Sequence, residues 1–532
     1  MNVVAMYSTT TSFTTRSLCT HFAKTTQFTH TALRSSQNKS SRRLSSARSV
    51  PVVADMFASL KSMLSNDNRT SSSSTAPSAP SRTPLYFHNT APSWEELQAM
   101  VDKQTKELGV EAQDLETGPS NPAALRRTFG QPGEPRVKLY RDHAAWCPYC
   151  HKVVLQLEEK KIPYIIEKIN MRCYGGKPPE FLAKVPSGLL PVLEIDGKII
   201  TESAVIQGLL EELYPEPALL PKDGTQERAR ASALMRLERR LFSDWLQWLC
   251  NSWGNDGNRA AFENTMDTIN KELGATEGPY FLSNFSLIDV IFAPFLERVV
   301  ASIPYYKGVV VRGQGRYPNL DRWFEAMETR EPYLAFRSDF YTHCHDLPPQ
   351  LGGCISTPES LPFAAAIDGT DGKNWHLPLP PLTATSLEPF CPGEDSARDR
   401  LRAAHQLVSN HTNVTKFALR GVGQPGPRPV SAPLSDPTAI PGMDYQTEVD
   451  AALRFVAAAL LSGGEVNGKP AVEVALSSSQ QQQGSSLSGA PVVPSLEYMR
   501  DRVGVPRDMP LPAARQLRAH LNWFIDTVAP SA

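Results

Sequence analysis

The chain has 532 residues, of which 41% are hydrophobic and 20% charged, and its formal net charge is −1. That length exceeds what one ordinary core organises, so two or more domains are expected. A near-neutral balance without a long basic stripe argues against nucleic acid as partner. No apolar run is long enough for a membrane span, since the best stretch, Ser286 to Ile303, is broken by Asp289, Glu297 and Arg298.

Residues 1–54 contain no Asp or Glu and are rich in Ser and Thr, with Arg16, Lys24, Arg34, Arg42, Arg43 and Arg48 interspersed. This is the composition of a disordered organelle transit peptide, and the Ser/Thr abundance favours chloroplast over mitochondrion. A plain disordered tail on a cytosolic protein is the alternative. Residues 55–92 read as a linker, because 71–84 is the flexible run SSSSTAPSAPSRTP. An N-terminal extension, 93–135, opens with a helix to about Lys106, its start marked by Ser93 and Glu96 as a reciprocal cap.

From 136 to 215 the pattern is regular. Val137 to Tyr140 reads as a strand and leads to Trp146-Cys147-Pro148-Tyr149-Cys150. Tyr149 to Lys161 is a helix with Val153, Val154 and Leu157 on its apolar face. Pro148 suits its first turn. Cys147 therefore stands at a helix N-terminus, where unpaired N–H groups and the helix dipole favour a thiolate. Pro163 to Ile169 is a second strand and Pro179 to Lys184 a short helix. Leu190 to Ile195 and Lys198 to Ile200 flank Asp196-Gly197, a strong hairpin turn. Glu202 to Tyr214 closes the unit. The order β-α-β-α-β-β-α is that of a thioredoxin-like α/β domain.

After Pro215, Pro217 and Pro221 the chain becomes helical from 224 to 346. Gln226 to Asn251 carries Leu234, Leu237, Leu241, Trp245 and Trp248 at helical spacing, and Ala260 to Leu273 is another helix. Ser286 and Asp289 form a cap for a buried helix. Leu320 to Glu328 and Tyr333 to His343 follow. Residues 347–395 read as a Pro-rich linker. Residues 396–532 read as a mostly helical extension with helices at Ser396 to Leu419, Thr447 to Leu461 and Ala513 to Val528, interrupted by a disordered Ser/Gln tract at 477–490.

Eight cysteines are sparse for this length, which argues for a reducing compartment over a disulfide-stapled secreted fold. In such a compartment Cys147-x-x-Cys150 alone admits a redox pair or half of a zinc site. A second such pair nearby is missing, so no metal is assigned. His343, Cys344, His345 and Cys354 are metal-like in type but read as a helix end. Gly313-Gln314-Gly315 reads as a turn. Trp245, Trp248 and Trp253 read as helix packing rather than a substrate pocket, and Cys173 and Cys250 as inert.

The residues CPYC at 147–150, KPPEF at 177–181, PSGLLPVLEIDG at 186–197 and ITES at 200–203 resemble the glutathione S-transferase superfamily. The closest style is the cysteine-bearing branch of omega and lambda classes and dehydroascorbate reductases. The helical segment from Gln226 to about His345, with its Ser286–Asp289 cap, is similar to that family's C-terminal domain. Residues 350–532 resemble nothing comparable. The resemblance implies a thioredoxin-like domain, an all-α transferase C-terminal domain and the additional helical extension. It implies glutathione as co-substrate, with Cys147 as the catalytic group and Cys150 as a resolving candidate. Tyr149, Lys177, Leu190, Pro191, Glu202 and Ser203 would bind glutathione. Leu190, before a Pro191 expected to be cis, would pair its backbone with the tripeptide. Glu202 and Ser203 would hold its γ-glutamyl end, and Lys177 its glycyl carboxylate.

A thiolate attacks a glutathione mixed disulfide, whereas Ser or Tyr in its place would polarise the thiol of glutathione itself. The expected activity is therefore glutathione-dependent thiol transfer, deglutathionylation or dehydroascorbate-type reduction of a small or protein-borne thiol substrate. The alternatives are conventional conjugation of glutathione to electrophiles, as in detoxification, and a non-catalytic binding or assembly module. Homodimerisation through the helical domain is a family-level expectation.

Overall fold

In the computed structural model, described for residues 86–110, 114–383, 386–391, 395–426, 433–463, 465–466, 469–470 and 486–528, two large hydrophobic cores organise the chain. The transit peptide read at 1–54, most of the 55–92 linker and residues 477–485 of the Ser/Gln tract lie outside the described residues.

The first core begins with β3 (Val137–Asp142), the central strand of a five-stranded sheet ordered β2-β4-β3-β5-β6. β4 (Tyr164–Ile169) runs parallel to it, and β5 (Val192–Ile195) and β6 (Lys198–Thr201) form the antiparallel hairpin read from Asp196-Gly197. An unforeseen edge strand, β2 (Arg126–Arg127), pairs with β4. The helices α2 (Pro148–Glu159), α3 (Pro179–Lys184) and α4 (Ser203–Leu213) complete the thioredoxin-like unit. Arg127 and Glu158, both buried, form a two-pronged ion pair with N···O distances of 3.1 and 3.2 Å that ties the 114–131 segment to α2.

The helical domain follows as α5 (Gln226–Cys250), α6 (Asn255–Leu273), α7 (Leu287–Lys307), α8 (Pro318–Met327), α9 (Glu331–Phe336) and α10 (Phe340–Leu351). α7 is its axis, almost wholly buried and mostly apolar, with Asp289, Glu297, Arg298 and Lys307 as buried charged exceptions. Its start is the Ser286–Asp289 reciprocal cap: Asp289 accepts the Ser286 N–H at 2.8 Å, and also the buried Trp323 Nε1–H at 2.9 Å. The expected Tyr333 to His343 helix is instead divided between α9 and α10. Asp339 sits extended and accepts the Thr342 N–H at 2.9 Å, which starts a new helix.

The second core joins distant parts of the sequence. Here α1 (Trp94–Glu107), with buried Leu97 and Val101, packs against α12 (Ser396–Ser409) and α14 (Gln446–Ser462), and α16 (Leu511–Val528) completes the bundle. Between them lie α13 (His411–Ala418), which splits the expected Ser396 to Leu419 helix at Asn410, and α15 (Val492–Arg500). The extra helices expected of the extension are present, and the N-terminal helix belongs with them. Trp94 Nε1–H donates to Asp450 at 2.8 Å, and Gln104 donates to the Leu461 carbonyl at 2.8 Å.

Two expectations need correction. Residues 486–490, read as part of a disordered tract, include β9 (Ser486–Ser488), antiparallel to β1 (Tyr86–His88), with Leu487 and Phe87 buried. A backbone ladder and two apolar side chains offset the ordering entropy there. The described parts of the 347–395 linker are packed rather than free. Pro362 fits the first turn of α11 (Leu361–Ile367), which lies against α7, and Trp375 is buried. A short hairpin, β7 (Glu465–Val466) with β8 (Lys469–Pro470), follows α14. The extension docks on the N-cap of α10 through the buried Arg518–Asp339 pair, and on the segment after α11 through a bond from Asn522 to the Trp375 carbonyl at 2.9 Å. Among the described residues no helix is long and apolar enough to cross a membrane.

Candidate functional site

Cys147 is the N-cap of α2, in extended conformation, with Pro148 in the first turn. Its side chain is buried, as is that of Cys150 one turn on. The Cys150 thiol donates a hydrogen bond to the Cys147 sulfur, and this is the main cause that lowers the Cys147 pKa. Burial opposes it, and the Tyr149 and Cys150 backbone N–H groups reinforce it. Cys150 moves far the other way, pushed up by burial and by the thiolate beside it. The pair is thus polarised, with ionisation favoured at Cys147 and opposed at Cys150.

Sequence reading missed Asp142, the last residue of β3. Its carboxylate and the two sulfurs lie within 4.8 Å of one another. Asp142 Oδ2 accepts the Trp146 N–H at 2.6 Å and fixes the turn before Cys147, while buried Oδ1 makes no hydrogen bond and lies 3.7 Å from the Arg141 guanidinium. Three such groups are also of metal-ligating type, although no metal is needed for thiol exchange. Lys152 and Arg298 were missed as well. Lys152, buried on α2, bonds Glu238 of α5 at 2.6 Å, and burial pulls its pKa down to about 8. Arg298 of α7 donates to the Trp146 carbonyl at 2.5 Å, so two domains hold the loop that presents Cys147. Behind that loop Arg507 of the extension lies 5.1 Å from the Trp146 ring centre.

The other expected residues surround this point in part. Leu190–Pro191 is a cis peptide at the entry to β5, the strand paired with β3. Ser203 is buried in the first turn of α4. Glu202 is exposed at φ 69° and ψ 113°, and its side chain does not cap α4. A non-glycine residue held there is strained, as residues committed to a ligand often are. Lys177 is part-buried and donates to the Asn170 carbonyl at 2.7 Å, with its stem against Gly188. Burial lowers its pKa, and the charges of both sulfurs raise it. Tyr149 is part-buried, its hydroxyl pushed up to about 12 by burial, and its ring packs edge-on to Phe295 at 5.7 Å. That contact belongs to the interface with the helical domain.

The remaining candidates do not converge on a site. His343 lies 3.4 Å from Glu297, His345 bonds Asp368 at 2.8 Å, and Cys344 donates to the Ala301 carbonyl. Trp245 and Trp248 are core residues, bonded to Ser302 and Asn255, whereas Trp253 is 85% exposed. Gly313 and Gly315 both have positive φ, as a turn requires. A cleft between α7 and residues 386–390, lined by Val300, Pro304, Phe340, Leu387 and Phe390, includes neither Cys147 nor Cys150.

Residues 146–213 match the model of the glutathione S-transferase N-terminal domain, and residues 226–326 that of the C-terminal domain. Glutathione S-transferase DHAR2 of Arabidopsis thaliana is 33% identical over 162 residues, 30% of this chain and 70% of the relative. Glutathione S-transferase omega-1 of Sus scrofa is 30% identical over 183 residues, 34% of this chain and 74% of the relative. The crystal structure of Chlamydomonas reinhardtii dehydroascorbate reductase covers 38% of this chain and 92% of its own at 24% identity, with a TM-score of 0.32.

Proposed function

The chain belongs to the glutathione S-transferase family, in its cysteine-type branch, and from that premise we propose that it is a glutathione-dependent thiol transferase or reductase with Cys147 as nucleophile. The observation that carries this reading is the polarised pair at the head of α2. A Cys147 sulfur stabilised as thiolate attacks, whereas a hydroxyl there would only assist the thiol of glutathione. Glutathione lies along Leu190–Pro191, its γ-glutamyl end at Glu202 and Ser203 and its glycyl end toward Lys177, with Tyr149 beside the sulfur.

In the reaction, Cys147 thiolate attacks the glutathione sulfur of a mixed disulfide. The Cys147–glutathione bond forms, the substrate sulfur bond breaks, and the substrate leaves as a thiolate that takes a proton from water. A second glutathione thiolate then releases Cys147 and leaves as glutathione disulfide. Cys150 offers another exit. Its thiol gives its proton to Asp142 and attacks Cys147, expelling glutathione and leaving a Cys147–Cys150 disulfide. With dehydroascorbate as acceptor, two glutathiones supply two electrons and two protons and depart as one disulfide. Plastid import by residues 1–54 is part of the proposal and rests on their composition.

The test is an activity panel on wild type and Cys147→Ser with a glutathione mixed disulfide, dehydroascorbate and an aromatic halide. Loss of turnover with the first two is expected. Undiminished thiol transfer by Cys147→Ser would overturn the assignment, and turnover confined to the halide would make the protein a conjugating transferase.

A further inference from the structure

A second pair of thiols meets far from Cys147 in sequence. Cys250 is the last residue of α5, and Cys354 follows α10 on the chain's way to the extension. The Ile355 N–H donates to the Leu249 carbonyl at 2.9 Å, which sets the neighbouring residues 250 and 354 side by side. Their thiols hydrogen-bond one another. The segment is held in place beyond the contact too. Thr357 N–H donates to the Tyr306 carbonyl at 2.9 Å, and a Cβ on Gly308 would come within 2.7 Å of the Glu359 backbone. Both cysteines pack on the rim of the first core and are part-exposed, and Gly352, Ile355 and Ser356 beside them are exposed. The other cysteines differ. Cys344 is fully buried and donates to a carbonyl, and burial pushes the Cys173 thiol up to about 12.

We propose that Cys250 and Cys354 form a redox site separate from Cys147, oxidised by glutathione disulfide to an intrachain disulfide that fastens the end of α5 to the segment leading into the extension. The two thiols are not equivalent. The hydrogen bond from Cys354 and the nearby Lys307 ammonium favour ionised Cys250, while Cys354 is held as the thiol. Cys250 thiolate attacks one sulfur of glutathione disulfide. The glutathione sulfur–sulfur bond breaks, one glutathione leaves as thiolate and takes a proton from water, and Cys250 carries the other. Cys354 then gives up its proton and attacks Cys250, and the second glutathione departs. Two protein thiols are oxidised and one glutathione disulfide is reduced to two glutathiones. Because the Ile355–Leu249 backbone bond holds the two cysteines side by side, the second step is intramolecular and the glutathione adduct does not persist.

The experiment uses the full reduced wild-type chain, equilibrated with a series of glutathione to glutathione disulfide ratios, trapped by alkylation, digested without reductant and mapped by mass spectrometry. The expected result is a peptide pair joined through Cys250 and Cys354, appearing as both thiols vanish together and reversed by excess glutathione. Cys354→Ser should instead leave a lasting glutathione adduct on Cys250. Free alkylated Cys250 and Cys354 at every ratio, or stable separate adducts on the wild type, would overturn the proposal. An unmodified Cys250 in Cys354→Ser would overturn its role as the attacking thiol.

Discussion

Lys152 Nζ lies 2.6 Å from Glu238 Oε1, with both side chains buried, and so joins the helix that Cys147 heads to the first helix of the helical domain. Removing Lys152 leaves the buried Glu238 carboxylate facing only the half-exposed Arg239 at 3.4 Å. Lys152→Met should cost about 3–5 kcal/mol of stability, and the paired change Lys152→Met with Glu238→Leu should recover most of it. Urea unfolding followed by tryptophan fluorescence distinguishes the two, and equal losses would mean that the pair does not bridge the domains.

The Cys150 thiol is the main group that lowers the Cys147 pKa, which yields a pH prediction of definite sign. Only the thiolate is alkylated, so the rate at Cys147 rises as pH climbs through its pKa. In wild type that midpoint should fall below the ordinary thiol value of 9.0. Cys150→Ala removes the donor and should raise the midpoint, while Cys150→Ser keeps a donor and should fall between. Identical midpoints in all three proteins would refute the assignment. The assay is iodoacetamide alkylation with mapping of Cys147.

Glu297 is buried on α7 beside His151 and His343, and burial pushes its pKa up to about 8 from 4.5. The neutral acid is the form the fold accepts, so its contribution is fully present below pH 4.5 and is lost as pH rises through 8. The two histidines are driven well below 6.5 by burial, so they act in the acid range and lower stability as pH falls below 6.5. Between pH 6.5 and 8 only Glu297 of these three titrates, and stability should decline by about 2 kcal/mol across that window. Glu297→Gln mimics the neutral form and should flatten the decline. A decline that persists in the variant would place its source elsewhere.

What could be read in the sequence was local. The N-cap position of Cys147, the Asp196-Gly197 hairpin and the Ser93–Glu96 and Ser286–Asp289 caps each depend on residues a few positions apart, and all are present. What could not be read spans long separations. Lys152 and Glu238 stand 86 positions apart, and a lysine amid apolar residues on a helix gives no sign of its partner. Leu487 looked like part of a polar tract because Phe87, which shares its core, lies at the other end of the chain. Cys250 was read as inert for the same reason: Cys354 reaches it only once α10 has folded back. Asp142 ended a strand pattern and carried no motif, so only the position of its carboxylate beside two sulfurs marks it.

Asp142 supplies the sharpest test of the site. If it accepts the Cys150 proton, Asp142→Asn keeps an oxygen for the Trp146 N–H but offers no base. The decisive measurement is a single turnover with a glutathione mixed disulfide and no free glutathione, so that only Cys150 can resolve Cys147. Wild type should pass quickly through the Cys147–glutathione adduct to the Cys147–Cys150 disulfide. Asp142→Asn should accumulate the adduct and lose about 10²-fold in the rate of its decay, the usual scale for a lost general base. Cys150→Ser should hold the same adduct indefinitely, which separates a missing base from a missing thiol. Because hydroxide can replace the carboxylate, the Asp142→Asn deficit should shrink as pH rises. Decay at the wild-type rate in Asp142→Asn would confine Asp142 to holding the turn before Cys147, and no adduct in any variant would remove Cys147 itself from the reaction.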